Sequence, residues 1–309
     1  MILGEPYNMN NSEFKVKSTL FTTTFSKNGY FVYGRKWIES FLDNTETLPH
    51  ITAKIYIDGM TPNEISDIEV PGKIEVVDYE SNIPEQQLWK DMFEEQSKHI
   101  RHVKKLSVKF SYKSFVIIKS LRENANNYVV WLDADCIFKS PELDTFTRDI
   151  LQGKFIACQK EAESDHVESG ILIFDTAHPD KQRFLDMFND CYHVDVNSFG
   201  ELYDGFAVNR TLINGDFDYI NLNEKFGLSG VQSDPNLTFL HPDINKRFHH
   251  NIGITGKRNY EDWRTYSRQD RYFQMIHGID PLEIRASLQE NVKRVNDVVN
   301  QIARRRNVR

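Results

Sequence analysis

The sequence predicts an α/β protein built on a mostly parallel β-sheet, and three features of the chain lead to this expectation. Short β-branched and apolar runs alternate with longer segments of helical periodicity, as in βαβ units. The run Tyr128 to Leu132 is apolar throughout, which is typical of a strand buried on both faces of a parallel sheet. The length of 309 residues suits one large domain with an appendage, or two closely packed domains.

The predicted elements alternate along the chain. The expected strands are Ser18 to Thr24, Ile51 to Ile57, Ile74 to Val77, Tyr128 to Leu132, Phe155 to Cys158, Gly170 to Phe174, Tyr219 to Leu222 and Thr238 to Leu240. The expected helices are Tyr33 to Leu42, Glu85 to Ser97, Lys104 to Arg122, Arg183 to Tyr192 and the second part of Gly200 to Leu212. In the first helix Trp37 and Phe41 share one face, which predicts that this face packs on the sheet.

The chain ends in a predicted helix with an apolar seam. The seam residues are Leu288, Val292, Val295, Val299 and Ile302. Their spacing is that of a two-position heptad, so the helix packs either on the main domain or against a second copy of the chain in a homodimer. We therefore divide the chain into a polar N-terminal segment (1–17), a catalytic domain (18–258) and a helical C-terminal extension (259–309).

The composition excludes several classes of protein. Acidic residues outnumber basic ones by 45 to 38, for a net charge of −7, which argues against a nucleic-acid partner. No segment of the sequence has as many consecutive apolar residues as a transmembrane helix needs, and no signal peptide is visible. The three cysteines have neither pairing nor metal-ligand spacing, so we expect buried thiols in a cytoplasmic protein.

Two carboxylates end the most apolar strand. Asp133-Ala134-Asp135 directly follows Leu132, and ligands of open α/β sheets bind at the carboxyl ends of strands. Carboxylates are preferred ligands of Mg²⁺ and Mn²⁺, which commonly accompany a diphosphate substrate. A solvated turn with two surface acids is the alternative, and the buried strand in front of the pair favours the metal site.

The segment Trp131 to Asp135, preceded by a lysine-rich helix, resembles the DXD motif of nucleotide-sugar glycosyltransferases with the GT-A fold, including glycogenin-like, bacterial and viral enzymes. Further segments carry the resemblance. Lys109 to Lys113 is similar to a basic helix near the donor, and Glu168 to Phe174 is similar to an acceptor-side strand. Tyr203 to Gly205 is similar to an acidic loop near the reacting sugar. His250 to Lys257 is similar to a late His-x-x-Gly-x-x-Lys segment of these enzymes.

The resemblance implies a Rossmann-like GT-A fold and a site for Mn²⁺ or Mg²⁺ together with a nucleoside-diphosphate sugar, of which a UDP-sugar is favoured. The implied metal ligands are Asp133, Asp135 and His250, with Asp133 serving either the donor ribose or a metal-bound water. Three lysines are candidates to neutralise the diphosphate: Lys109, Lys113 and Lys257. For Lys109 and Lys113 a solvated helix face is the alternative.

The reacting sugar needs acidic groups, and the nucleoside needs polar and aromatic ones. Asp204 and Glu168 are candidate general bases if transfer inverts the anomeric carbon, or they orient and stabilise an oxocarbenium-like centre if it retains. Thr22 and Thr24, expected at the end of the first strand, are candidates for the base or ribose, and Tyr30 for stacking.

These residues predict a metal-dependent glycosyltransferase that moves a sugar from a nucleoside-diphosphate sugar to a glycan or another hydroxyl acceptor. One alternative is a phosphatase of the haloacid-dehalogenase type, which also places Asp-x-Asp after a buried strand and uses Mg²⁺. That class expects its motif near the N-terminus, whereas more than 130 residues precede Asp135 here. The other alternative is an inactive, glycan-binding protein that keeps the fold without turnover.

Overall fold

The computed structural model describes residues 17–96, 101–143, 145–160, 166–193, 203–222 and 248–250. Within this part lies a seven-stranded sheet with helices on both faces, which confirms the expected α/β class. Its strands, in spatial order, are β3 (Ile74–Asp78), β2 (Ile51–Asp58), β1 (Thr19–Ser26), β4 (Tyr128–Leu132), β7 (Val167–Asp175), β6 (Ile156–Lys160) and β8 (Tyr219–Asn221). A smaller sheet pairs β5 (Cys136–Phe138) with β9 (Phe248–His250).

The described helices cover both faces of the large sheet. They are α1 (Lys27–Gly29), a π-helical turn (Tyr30–Gly34), α2 (Arg35–Thr45), α3 (Pro62–Ser66), α4 (Tyr79–Asn82), α5 (Pro84–Gln96), α6 (Arg101–Glu123), α7 (Phe146–Leu151), α8 (Lys181–His193) and α9 (Asp204–Asn214). Trp37 and Phe41 of α2 are buried on one face of the sheet, as predicted. Phe115 and Leu121 of α6 are buried in the core on the other face.

Strand direction determines which residues meet at the edge that carries the site. β1, β2, β3 and β4 are mutually parallel, so their last residues share one edge of the sheet, which we call the carboxyl edge. β7 runs antiparallel to β4, so its first residues, beginning at Val167, reach this same edge. The expectation of a mostly parallel sheet is therefore confirmed, with β7 as the antiparallel strand, between β4 and β6.

Several element boundaries differ from those predicted. β1 continues to Ser26, because Phe25 is buried and all eight residues of β1 pair in register with β2. The pairing of β5 with β9 was not predicted, because each strand has only three residues and the partners are distant in sequence. The expected strand 238–240 and the terminal helix with its seam lie outside the described residues. Among the described helices, none has the length and apolarity needed to cross a bilayer.

Candidate active site

A tight turn at the end of β4 carries the two aspartates of the predicted motif. The backbone N–H of Cys136 donates to the carbonyl oxygen of Asp133 at 2.9 Å, which closes a four-residue turn from Asp133 to Cys136. The N–H of Asp133 donates to the carbonyl oxygen of Gly170 in β7 at 2.9 Å. Asp133 and Asp135 are both half-buried. The backbone therefore holds Asp133 at the junction of β4 and β7.

Lys113 joins three elements at this junction. Its Nζ lies 2.8 Å from Oδ1 of Asp133, 2.9 Å from Oδ2 of Asp204 and 3.0 Å from Oγ of Ser169. The Ser169 hydroxyl in turn donates to Oδ2 of Asp204 at 2.7 Å. We call these four residues the Lys113 network. A lysine ammonium has three donors, and all three are engaged here.

The Lys113 network corrects the predicted role of Lys113. Its side chain is buried in the site, so the alternative of a solvated helix face is wrong for this residue. The three contacts also leave no ammonium hydrogen for a phosphate, so the predicted neutralisation of a diphosphate does not fit this arrangement. The charge of Lys113 instead balances the carboxylates at the carboxyl edge.

Burial and charge act in opposite directions on the two buried members of the network. Burial alone would raise the pKa of Asp204, but the Lys113 ammonium and the Ser169 hydroxyl outweigh it and lower that pKa. Burial alone would likewise lower the pKa of Lys113, but the Asp133 and Asp204 carboxylates raise it above its ordinary value. Both groups are thus held in their charged forms, and the two carboxylates with one ammonium give the network a net charge of −1.

The position of Asp204 depends on how α9 packs against β7. Asp204 is the first residue of α9, where a carboxylate is favoured by the helix dipole. The next residue is a glycine, and a Cβ at Gly205 would lie 2.2 Å from the carbonyl oxygen of Val167. Because only glycine permits this close approach, α9 begins directly on the first residue of β7. That contact carries the buried Asp204 carboxylate to Lys113.

Glu168 lies next to Ser169 at the start of β7. Its Oε1 accepts a hydrogen bond of 2.8 Å from the backbone N–H of Gly170, and the side chain is half-buried. Since Gly170 also binds the backbone of Asp133, Glu168 belongs to the same corner of the sheet as the Lys113 network. The antiparallel direction of β7 is the reason these acidic side chains meet there.

The two threonines predicted at the nucleoside do not share one environment. Thr22 lies in the middle of β1, is fully buried and accepts a 3.2 Å hydrogen bond from the Ser120 hydroxyl of α6. The Thr22 side chain has no exposed surface for a ligand, so the structure does not support the prediction for Thr22. Thr24 is partly buried and donates to the carbonyl oxygen of Tyr56 at 2.8 Å. Tyr30 is partly buried and stacks on Phe25.

The remaining predicted residues fall into three groups. Lys109 is exposed, which agrees with the alternative that it lies on a solvated helix face. The backbone of His250 pairs with that of Cys136, immediately after Asp135, whereas the His250 side chain lies outside the described part. Lys257 also lies outside the described residues. Among the described side chains, no group of three or more His, Cys, Asp and Glu is arranged to hold a metal ion.

The contacts of Trp131 and Ser169 in the site were not predicted from the sequence. The indole Nε1–H of Trp131 donates to Oδ1 of Asp133 at 2.8 Å, and Ser169 bridges Lys113 and Asp204. The alternation of side chains along a strand was the available signal for Trp131, because residues two apart lie on one face. No local signal pointed to Ser169, since its partners come from two distant helices.

No protein-family model and no curated protein sequence matches the chain. Among solved structures, the chain is similar to the galactosyltransferase LgtC in complex with donor and acceptor sugar analogs (13% identity, TM-score 0.47, 86% of this chain and 99% of that one). It is also similar to the glycosyltransferase GlyE of Streptococcus pneumoniae TIGR4 (12% identity, TM-score 0.41, 89% of this chain and 64% of that one). Mouse xyloside xylosyltransferase 1 is a third (12% identity, TM-score 0.39, 66% and 84%). All three are named as glycosyltransferases, and the likeness is a distant one from which no activity follows.

Proposed function

We propose that the chain is a metal-dependent glycosyltransferase of the GT-A type that moves a sugar from a nucleoside-diphosphate sugar, a UDP-sugar first, to a glycan or another hydroxyl acceptor. The observation that carries this proposal is the pairing of Asp133 and Asp204 through Lys113 at the carboxyl edge, beside the turn that holds Asp135. Carboxylates fixed in this way are suited to accept charge-assisted hydrogen bonds from the hydroxyls of a sugar.

The donor set at the turn supports a divalent cation. Asp133 and Asp135 offer carboxylate oxygens, which suit Mg²⁺ and Mn²⁺, and we propose His250 as a third ligand. The β5–β9 pairing supports this assignment, because it sets the His250 backbone opposite the residue that follows Asp135. A cation bound there would neutralise the charge that develops on the leaving diphosphate. Lys257 remains the proposed phosphate contact, and Thr24 and Tyr30 the proposed nucleoside contacts.

We assign different roles to Asp204 and Glu168. Asp204 is ion-paired with Lys113 and its pKa is lowered, so it is a poor proton acceptor and is suited to orient the sugar and stabilise positive charge at the anomeric centre. Glu168 is the candidate proton acceptor for the acceptor hydroxyl in an inverting transfer. The anomer of the product, read by proton NMR, distinguishes an inverting transfer from a retaining one.

Titration calorimetry tests the proposal. UDP and GDP are titrated separately into the protein, each with and without Mn²⁺. The same titrations are repeated on Asp135→Ala and on the control Asp186→Ala, which removes an exposed aspartate of α8. We expect Mn²⁺-dependent binding of one nucleotide by the wild type and the control, and loss of that binding in Asp135→Ala. Equal binding by all three proteins would remove Asp135 from the site.

Binding of neither nucleotide under any condition would refute the proposed function. Further assays on the same protein would then distinguish the two alternatives, a phosphatase and an inactive glycan-binding protein. Mg²⁺-dependent release of inorganic phosphate from p-nitrophenyl phosphate would identify a phosphatase. Glycan binding without nucleotide binding or turnover would identify an inactive glycan-binding protein, because such a protein has no need to neutralise a diphosphate.

A further inference from the structure

Trp131 contacts the carboxylate of Asp133 from within the sheet. Trp131 is the next-to-last residue of β4 and Asp133 directly follows the strand, so the two side chains, two positions apart, lie on the same side. The indole Nε1–H donates to Oδ1 of Asp133 at 2.8 Å, and Nζ of Lys113 donates to the same oxygen, also at 2.8 Å. Among the described residues, every hydrogen bond to this carboxylate ends on Oδ1. Oδ2 is therefore the oxygen that remains for a ligand.

The surroundings of Trp131 strengthen this contact. The side chain is 2% exposed, and Nζ of Lys113 lies 5.2 Å from the centre of its ring, within the range of a cation–π interaction. The ring thus excludes water from one side of the Lys113–Asp133 pair, where hydrogen bonds to charged groups become stronger. The Asp133 side chain keeps 30% of its surface exposed. Lys113 and Trp131 hold the Asp133 side chain from within the protein, and the rest of its surface is open to solvent.

We propose that Trp131 is a positioning residue for Asp133: together with Lys113 it occupies Oδ1, so that Asp133 meets the nucleoside-diphosphate sugar through Oδ2 alone. The proposal rests on the proposed function for the identity of the ligand. A carboxylate that presents one oxygen in a fixed direction orients one hydroxyl or one metal-bound water, and it needs no reorganisation when the donor binds.

The first test reads the contact without any nucleotide. In ¹⁵N-labelled protein, the indole N–H signal of Trp131 is assigned by its loss in Trp131→Phe. We expect this signal to shift in Asp133→Ala, a chain that keeps Trp131. The signal of Trp89, an equally buried tryptophan whose Nε1 has no hydrogen-bond partner among the described residues, is expected to stay in place. A Trp131 signal that does not respond to Asp133→Ala would overturn the proposal, whatever the activity.

The second test reads the effect on turnover of the donor. Trp131→Phe removes the N–H and keeps an aromatic ring, and we expect it to lower kcat/KM for the donor by about 10- to 100-fold, as expected for a lost hydrogen bond to a charged group. Trp89→Phe is the matched control for lost core volume, with an expected change within about twofold. In the Asp133→Ala background, Trp131→Phe should have no further effect, because it acts through Asp133.

The outcomes separate this proposal from the proposed function. Equal losses from Trp131→Phe in the presence and absence of the Asp133 carboxylate would show a structural role and overturn the positioning role. An intact indole contact in a wild type that binds no nucleotide would overturn the proposed function and, with it, the ligand named here. Melting temperatures of all variants show that each comparison is made between folded proteins.

Discussion

Replacing Lys113 by methionine should destabilise the protein severely. Methionine keeps an unbranched chain of similar length but removes the ammonium. The buried Asp204 carboxylate then loses its counter-charge, and the Ser169 hydroxyl loses a donor. An uncompensated buried charge is the most costly consequence of breaking an ion pair.

The geometry sets the size of the effect. The side chains of Lys113 and Asp204 are 10% and 8% exposed, and their charged atoms are 2.9 Å apart, so solvent screens the pair only weakly. Removing one partner of such a pair lowers the free energy of unfolding by about 3–5 kcal/mol. Because a whole domain is stable by only about 5–15 kcal/mol, the variant should lose a large share of its stability.

Urea unfolding at pH 7, followed by fluorescence, measures the loss. With an m-value of about 3 kcal/mol/M, the midpoint should fall by roughly 1–1.7 M. Lys109→Met on the exposed face of the same helix is the control and should change the free energy of unfolding by less than about 0.5 kcal/mol. Adding Asp204→Asn to Lys113→Met should restore part of the loss, since it removes the unpaired charge. Equal midpoints for Lys113→Met and Lys109→Met would show that the ion pairs of Lys113 do not stabilise the fold.

Three further predictions follow from the described contacts. Gly205→Ala should lower the melting temperature, at a cost of about 1–3 kcal/mol, because its Cβ meets the Val167 carbonyl oxygen at 2.2 Å; an unchanged melting temperature would contradict the close packing. The lowered pKa of Asp204 stabilises the fold above the unfolded pKa of about 3.9, and this contribution is lost as pH falls through the folded pKa. The difference in the free energy of unfolding between wild type and Asp204→Asn, measured by urea unfolding, should therefore be smaller at pH 3 than at pH 7, and a difference independent of pH would argue against the pairing. Burial raises the pKa of all three cysteine thiols, that of Cys158 to about 12. None of the three should therefore react with a disulfide reagent in the native protein, and all three should react in denaturant. Rapid labelling of the native protein would contradict their burial.

Much of the fold could be predicted from the sequence because the responsible patterns are local. The apolar run of β4 is buried at every position, and the helical spacing of Phe115 and Leu121 matches the buried face of α6. The prediction ended β1 at Thr24, the last residue of its threonine run, two residues before the strand ends at Ser26. Only the pairing with β2 shows that the strand continues past Thr24.

Hydrophobic periodicity acts over a few neighbouring residues, so it was enough to predict the α/β class and the position of Asp133 and Asp135 at the end of a buried strand. The partners of Lys113 depend instead on contacts between elements that are distant in the chain. From the sequence, a lysine beside an expected diphosphate site is interpreted as a phosphate contact. The antiparallel direction of β7 and the packing of Gly205 on Val167 instead bring Asp204 to its ammonium. Which charges meet inside a protein depends on how distant elements pack, and the residue types alone do not specify it.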